Sequence, residues 1–261
     1  MYQEKIILLT FDVEEFDLPR EFDGIISDEK IMQVGKAGTD RMQQLLEEQQ
    51  VTSTLFTTAN FAVHFPDAIQ SLSANHEIAS HTYFHSNFTE AHLLESRVKL
   101  EEITGKKITG LRMPRFKKID IHTIKEAGYL YDSSINPFWL PGRYNNLHLP
   151  QTFFYDADLL RIPVSVSTGL RIPLFWLSFK HLPYPIYKKL ALYALNKYGY
   201  LNLYFHPWEF TPLQEYGIPG YLKKNSGDNF AKNLSRLIKD LKEYATFMQM
   251  GDFAQKILQK K

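Results

Sequence analysis

The 261-residue sequence predicts an α/β fold in which parallel strands close into a β/α barrel. Strand-like and helix-like segments alternate about seven times along the chain. The first strand is a short, unbroken apolar run beginning at Ile6, which is typical of a strand buried on both faces. Five predicted strands end in a polar or charged residue: Asp12, His81, Arg112, Asp132 and His206. Because the carboxyl ends of barrel strands share one face, we expect these side chains to converge there.

The remaining elements follow from apolar periodicity and from cap and turn signals. A polar stretch from 17 to 38 is expected to be irregular, and the first helix to begin at Thr39 or Asp40 and end near Gln50. The later predicted strands are 51–59, 77–80, 109–113, 129–131, 159–166 and 200–205. The later predicted helices are 66–75, 89–104, 120–127, 185–198 and 229–248. Segments 136–156 and 212–227 are predicted to be loops.

Composition narrows the class of protein. The formal net charge is +1, which gives no sign of nucleic-acid binding, and the absence of cysteine excludes disulfides and thiolate metal sites. A hydrophobic fraction of 44% suffices for a large core, and on this ground one barrel-sized domain and two smaller ones are equally compatible with the sequence. Residues 229–261 are expected to form a C-terminal helical extension that packs either on the barrel or on a partner. With no signal peptide or transmembrane segment predicted, a cytoplasmic location is expected.

Three carboxylates, Asp12, Glu14 and Glu15, follow the first buried strand. Unpaired charges beside a core are costly, so such a cluster requires a cation, a role as a base, or exposure to solvent. Alternation along a strand places Asp12 and Glu14 on one face and Glu15 on the other.

The segment from Ser80 to His85 carries two histidines four residues apart. Such a pair is able to face one cation from a single turn, although the spacing alone is a weak signal and a surface turn is the alternative. Two histidines, one carboxylate and water describe a hydrolytic zinc-type site that keeps an open position.

These motifs together resemble the NodB-like polysaccharide deacetylases, a family of carbohydrate esterases. The matching pieces, in the order of that family, are Thr10-Phe11-Asp12, His81-Thr82-Tyr83-Phe84-His85, Arg112-Met113-Pro114, Tyr131-Asp132-Ser133-Ser134 and Leu203-Tyr204-Phe205-His206-Pro207-Trp208-Glu209. They span about four-fifths of the chain and leave the C-terminal helix unmatched. The resemblance implies a distorted (β/α)7 barrel that removes N-acetyl groups from sugars, so we expect a single catalytic domain over 1–261.

The resemblance also assigns roles to residues. Asp12 would be the general base, held ionised and oriented by Arg112, and His206 the acid that protonates the leaving amine. His81 and His85 would bind a divalent metal, zinc being the expected one. The backbone N–H of Arg115 would help to hold the developing oxyanion. Amide hydrolysis needs these three things: a nucleophile made from water, stabilisation of charge on oxygen, and a proton for nitrogen.

The sequence departs from the family pattern beside the expected base. Many members carry a second Asp there that binds the metal, whereas this chain has Val13. Glu14 is the expected third ligand, since it points the same way as Asp12, and Glu15 is the alternative. Relatives similar to allantoinases work without metal, so metal-free operation stays open. The residues after Arg112 also differ from the family, which makes the Arg115 side chain a candidate substrate contact.

Further substrate contacts are expected at Tyr83, Asp132 and Trp208, with a turn at Asp132 and core packing at Trp208 as the alternatives. The aromatic segment Phe175, Trp176 and Phe179 is interpreted as core and lid, the alternative being a surface that meets a lipid-linked glycan. The expected activity is N-deacetylation of an N-acetylhexosamine in a glycan or glycan precursor. An allantoinase-like amide hydrolase and a non-catalytic glycan-binding relative are the alternatives.

Overall fold

A computed structural model describes residues 4–259, so the expected limits at 1 and 261, including the last residues of the C-terminal extension, lie outside the described residues. Its strands are β1 (Ile6–Val13), β2 (Thr54–Thr57), β3 (Glu77–Ser80), β4 (Gly110–Leu111), β5 (Tyr131–Asp132), β6 (Trp139–Leu140), β7 (Tyr144–Asn145), β8 (Phe154–Asp156), β9 (Leu159–Arg161), β10 (Tyr200–Phe205) and β11 (Thr246–Phe247). Its α-helices are α1 (Asp28–Gln49), α2 (Ala59–His64), α3 (Pro66–Ser73), α4 (Ala91–Thr104), α5 (Ile121–Glu126), α6 (Trp176–His181), α7 (Tyr184–Tyr198), α8 (Gly220–Lys223), α9 (Asp228–Lys242) and α10 (Met250–Leu258).

The main sheet has the strand order β10-β1-β2-β3-β4-β5-β9, and all neighbours on this path are parallel. Strand β8 adds an antiparallel edge to β9, and β11 pairs with β1. The sheet is curled, and the chain after β9 spans the gap to β10: Ser165 N donates to Asn202 O at 2.9 Å, and Phe175 bridges to Tyr204. The expected distorted β/α barrel is therefore confirmed.

Burial along β1 explains how the barrel is filled. The side chains of Ile7, Leu9, Phe11 and Val13 belong to the large cluster packed under the outer helices. Those of Ile6 and Leu8 belong instead to a second cluster inside the barrel. Since side chains alternate along a strand, Asp12 and Glu14 extend the inward-facing row towards the carboxyl end of the barrel.

The first helix is much longer than predicted. Residues 28–38, expected to be irregular, form the first half of α1, and Ser27 caps it by accepting a hydrogen bond from Lys30 N at 3.2 Å. This stretch contains Gly35 and Gly38, and glycine is unfavourable inside a helix. They are required by packing, because a Cβ on Gly38 would lie 2.2 Å from the Pro207 carbonyl oxygen, and one on Gly35 would lie 2.6 Å from that of Glu14.

The C-terminal segment is two helices rather than the single helix predicted over 229–248. After α9 the chain forms β11 beside β1, and α10 then closes the amino-terminal end of the barrel. Met250 and Phe253 of α10 are fully buried in the interior cluster, and the Gly251 amide donates to Glu77 Oε2 at 2.8 Å. The extension therefore packs on its own barrel. No helix between residues 4 and 259 is long and apolar enough to cross a membrane.

Candidate active site

Three buried side chains converge where β1 and β3 end. His81 Nε2 lies 3.1 Å and His85 Nε2 lies 3.3 Å from Oε2 of Glu14. Their three potential ligand atoms lie within 4.8 Å of one another. The two histidines follow β3, and the register of β1 turns Glu14 towards them. Of the two glutamates that the sequence left as candidates, it is Glu14 that meets the histidine pair.

Glu15 points to the other side of the chain, as strand alternation predicts. Its carboxylate accepts hydrogen bonds from Thr58 Oγ1 at 2.6 Å, Asn60 Nδ2 at 3.3 Å and the His85 backbone N–H at 3.2 Å. Glu15 therefore holds the histidine loop against the start of α2.

Hydrogen bonding fixes the orientation of both imidazoles. Nδ1 of His81 lies 2.8 Å from the Arg112 carbonyl oxygen, and Nδ1 of His85 lies 2.8 Å from Asp17 Oδ1. With Nδ1 engaged in this way, each Nε2 is turned towards Glu14, and a divalent cation would have to displace any proton that Nε2 carries. Oε2 of Glu14 is buried without a hydrogen-bond partner in the described chain. Two imidazole nitrogens and one carboxylate oxygen fit zinc or a similar divalent ion.

The charges in this cluster are strongly coupled. Burial by itself raises the pKa of Glu14, but His85, His81 and His206 outweigh it and hold the pKa well below its usual range. Burial lowers the pKa of His85, yet the carboxylates of Glu14 and Asp17 outweigh that effect and raise it to about 9. The cluster thus carries an excess of negative charge that either a proton or a metal cation neutralises.

Arg112 and Asp12 form a fully buried ion pair beside the cluster. Arg112 Nη1 lies 2.7 Å from Asp12 Oδ1, and the guanidinium also donates to Thr10 Oγ1 at 3.0 Å and Ser133 Oγ at 3.1 Å. Its Cζ sits 4.0 Å above the centre of the Phe56 ring. The second oxygen of Asp12, Oδ2, lies 4.0 Å from His81 Nε2. Asp12 is thereby fixed with one oxygen on the arginine and the other beside the histidines.

His206 follows β10 and lines the same cavity as Asp12 and Glu14. Its ring stacks on Trp208, with centroids 4.6 Å apart, and meets the edge of Trp176 at 5.3 Å. Burial lowers its pKa to about 4, although Glu14 and Asp12 act in the opposite direction. Its Nδ1 has no hydrogen-bond partner among residues 4–259. The imidazole is therefore neutral near pH 7.

Trp208 does more than pack in the core. It is 3% exposed, lines the cavity, and donates its indole N–H to Glu14 Oε1 at 3.2 Å. One side chain thus positions both Glu14 and His206.

Arg115 lies at the cavity mouth. Its backbone has a φ of 54°, in the left-handed region, and its guanidinium contacts Glu21 Oε1 at 2.6 Å and Ser86 Oγ at 3.1 Å. This conformation directs the chain after Pro114 across the rim of the cavity.

Tyr83 and Asp132, both expected to contact substrate, do not line this cavity. Tyr83 borders a separate shallow depression beside α4. Asp132 is fully buried, where it accepts hydrogen bonds from Arg161 Nε at 2.8 Å and from Ser134 Oγ. Ser134 Oγ in turn accepts from the Met113 backbone N–H at 2.7 Å. Asp132 thus supports the loop that follows Arg112. This structural role is closer to the turn at Asp132, given above as the alternative, than to a substrate contact.

The sequence did not reveal Asp17 or the buried pair Lys180 and Glu209. Asp17 stands three residues beyond Glu14, and only the fold shows that it reaches His85 and Ser86. Glu209 accepts from the His206 backbone N–H at 3.3 Å, and its other oxygen lies 3.4 Å from Lys180 Nζ. Burial raises the pKa of Glu209 to about 7, against the lowering effect of Lys180. Lysine and glutamate are rarely buried unless paired, but no spacing in the sequence links residues from different segments.

The cavity itself has a volume of about 320 Å³ and largely aromatic walls. Phe175, Trp176 and Tyr204 line it together with Phe116 and Tyr144. Phe179, the third member of the aromatic segment, is buried against Tyr187 and Phe205 instead. This segment therefore forms cavity wall and core, and its expected role as a lid stays a prediction.

Comparisons with known proteins agree with the fold and the motifs. A search of curated proteins found no match. A Mycobacterium smegmatis structure assigned as a polysaccharide deacetylase is 19% identical, with a TM-score of 0.67 over 100% of this chain and 93% of its own. Puue allantoinase is 18% identical, with a TM-score of 0.67 over 96% of this chain and 89% of its own. A CE4 family pseudoenzyme from Bacillus anthracis is 12% identical, with a TM-score of 0.53 over 97% of this chain and 66% of its own. Residues 2–131 match the family model described as polysaccharide deacetylase, and the chain belongs to that family.

Proposed function

We propose that this protein is a metal-dependent hydrolase that removes N-acetyl groups from an N-acetylhexosamine in a glycan or glycan precursor. The observation that carries the proposal is the convergence of His81 Nε2 and His85 Nε2 on the unpartnered Oε2 of Glu14, beside a buried Asp12. Glu14, His81 and His85 would hold the ion. When bound, zinc or a similar cation supplies Lewis-acid polarisation of the amide carbonyl and makes water more acidic.

The other residues would divide the proton transfers between them. Asp12 keeps one oxygen on Arg112, so its other oxygen is available to take a proton from the attacking water. His206 would deliver a proton to the leaving nitrogen. Since His206 is neutral near pH 7, it would first have to accept the proton that Asp12 took from water, so that one proton passes from water through Asp12 and His206 to the leaving nitrogen. The backbone N–H of Arg115 would donate to the developing oxyanion.

Substrate contacts are proposed for Arg115 and Trp208, which line the cavity, and not for Tyr83 and Asp132, which do not. The aromatic walls suit stacking against a sugar ring. We expect the protein to recognise the glycan rather than a lipid that carries it, because Phe175 and Trp176 face the cavity.

The test is acetate release from N-acetylglucosamine oligosaccharides, measured together with the metal content of the purified protein. We expect chelation to abolish activity and added zinc to restore it, and His81→Ala to lose both activity and metal. His122→Ala is the matched control, since His122 is exposed at the start of α5. A His81→Ala protein with unchanged activity and metal content would contradict the proposal.

A second candidate is a metal-independent amide hydrolase of the allantoinase kind. Two observations favour it: Val13 stands where many deacetylases have a metal-binding Asp, and the fold matches Puue allantoinase with a TM-score of 0.67. In that case a proton held between Glu14 and His85 would take the place of the cation. Activity that survives chelation, with allantoin or another small amide as substrate, would identify this function.

A non-catalytic role is the third candidate, because one structural relative is described as a pseudoenzyme. The presence of Asp12 and His206 in the cavity argues against it. A panel of N-acetylated sugars from which no acetate is released, with glycan binding retained, would favour it.

A further inference from the structure

A second cleft adjoins the cavity of the candidate active site and shares lining residues with it. It has a volume of about 730 Å³ and lies between the turn after Arg112 and the hairpin of β6 and β7. Five residues line both spaces, namely Met113, Arg115, Phe116, Arg143 and Tyr144. A chain-like ligand with one unit in the cavity is therefore able to continue into the cleft.

The charged side chains that line this cleft are mostly cationic. Arg115, Lys117, Lys118 and Arg143 line it, and Asp156 is the one carboxylate among its described lining residues. Asp156 is already paired with Arg161 at 3.5 Å.

Few carboxylates balance these cations. Arg115 and Arg143 share Glu21, at 2.6 and 3.6 Å, and Asp17 lies 3.9 Å from Arg115. In the described chain no carboxylate lies within 4 Å of Lys118 Nζ. Lys117 Nζ sits 4.6 Å above the Phe88 ring.

The excess of positive charge is local. The whole chain has a formal net charge of only +1, so a cleft with several exposed cations is not a consequence of a basic composition. Guanidinium groups bind carboxylate and phosphate through paired hydrogen bonds, and lysines add point charges along the path. A cleft lined by one sign of charge also concentrates ligands of the opposite sign.

We propose that this cleft binds an anionic part of the substrate, so that the preferred substrate is an N-acetylated glycan bearing carboxylate or phosphate groups beside the unit in the cavity. The inference deepens the proposed function and rests on it for the identity of that unit. Arg115 and Arg143, at the junction of the two spaces, would meet the first anionic group. Lys117 and Lys118 would meet groups further along the chain.

The test is calorimetric titration of the wild-type protein with three probes. A tetrasaccharide of alternating glucuronic acid and N-acetylglucosamine supplies carboxylates, UDP-N-acetylglucosamine supplies phosphates, and N,N′,N″,N‴-tetraacetylchitotetraose is the neutral reference. We expect at least one anionic probe to bind more tightly than the neutral one at about 50 mM salt and to lose that advantage at about 500 mM, where exposed charges are screened. The probe that shows this behaviour identifies the anionic group.

Two double variants test whether Lys117 and Lys118 are responsible for binding the anionic probe. The double variant Lys117→Ala, Lys118→Ala is expected to weaken binding of the preferred anionic probe about fivefold, since exposed ion pairs contribute modestly. It should leave the neutral probe unchanged. The double variant Lys232→Ala, Lys239→Ala removes the same charge from exposed positions on α9 and should bind every probe as the wild type does.

Equal affinity for all three probes, or an unchanged affinity of the Lys117→Ala, Lys118→Ala variant, would overturn the inference. These outcomes are distinguishable from failure of the proposed function, because binding is measured without acetate release. Acetate release from the neutral oligosaccharide without preference for an anionic probe would leave the deacetylase and remove the anionic subsite. Selective binding of an anionic probe with no acetate release would support the anionic subsite and contradict the deacetylase activity.

Discussion

Asp17 is expected to control how tightly the site binds metal, although it is not one of the three proposed ligands. Its Oδ1 lies 2.8 Å from His85 Nδ1, and its Oδ2 lies 2.5 Å from Ser86 Oγ. Substituting Asp17→Asn keeps the shape of the side chain and removes its charge. The imidazole then loses the anion that raises its basicity and fixes the proton on Nδ1.

The expected loss of zinc affinity is that of a metal-binding histidine deprived of its carboxylate partner. Loss of such a carboxylate partner typically costs about 10- to 100-fold in metal affinity, which corresponds to about 1.4 to 2.7 kcal/mol. Competition with a chromogenic zinc chelator at pH 7 measures this difference directly. Glu14→Gln, which removes the ligand charge itself, should weaken zinc binding further than Asp17→Asn does.

The control is Asp120→Asn, because Asp120 caps α5 by accepting from the His122 backbone N–H at 2.7 Å. That variant should bind zinc normally. A folded Asp17→Asn protein with wild-type zinc affinity would refute the reasoning, since it would mean that His85 is oriented without its carboxylate partner.

Three further predictions concern Trp208, the buried pair Glu209 and Lys180, and the C-terminal helix. Trp208→Phe removes the hydrogen bond to Glu14 but keeps an aromatic ring near His206, so zinc affinity in the same competition assay should fall about tenfold. Burial raises the pKa of Glu209 from 4.5 to about 7. Between these two pH values the folded state therefore binds more protons than the unfolded state. As a result, the free energy of unfolding should fall as the pH rises through that range. Urea titrations across that range should show a contribution of up to about 3 kcal/mol that the double variant Glu209→Gln, Lys180→Met lacks; an unchanged pH profile would contradict this assignment. Phe253→Ala should lower the free energy of unfolding by about 3 to 5 kcal/mol with zinc affinity unchanged, because the fully buried Phe253 side chain packs inside the barrel at the end where α10 closes it.

The sequence alone located much of this site because its signals are local. The apolar run from Ile6 and the alternation along it place Asp12 and Glu14 on one face, and the structure brings both into the cavity. His81, Arg112 and His206 were found in the same way, since each stands where a buried strand ends. Strand periodicity and strand ends are properties of a few consecutive residues, so they are readable without a fold.

Only the tertiary structure decided which distant residues support that site. Gly35 and Gly38 are needed in α1 because the helix backbone packs closely against Glu14 and Pro207, and the sequence alone does not show that contact. The Asp17 carboxylate contacts His85, whereas the Asp132 carboxylate accepts a hydrogen bond from Arg161 and does not line the cavity. These roles depend on contacts between residues tens to hundreds of positions apart, and periodicity along one segment carries no information about them.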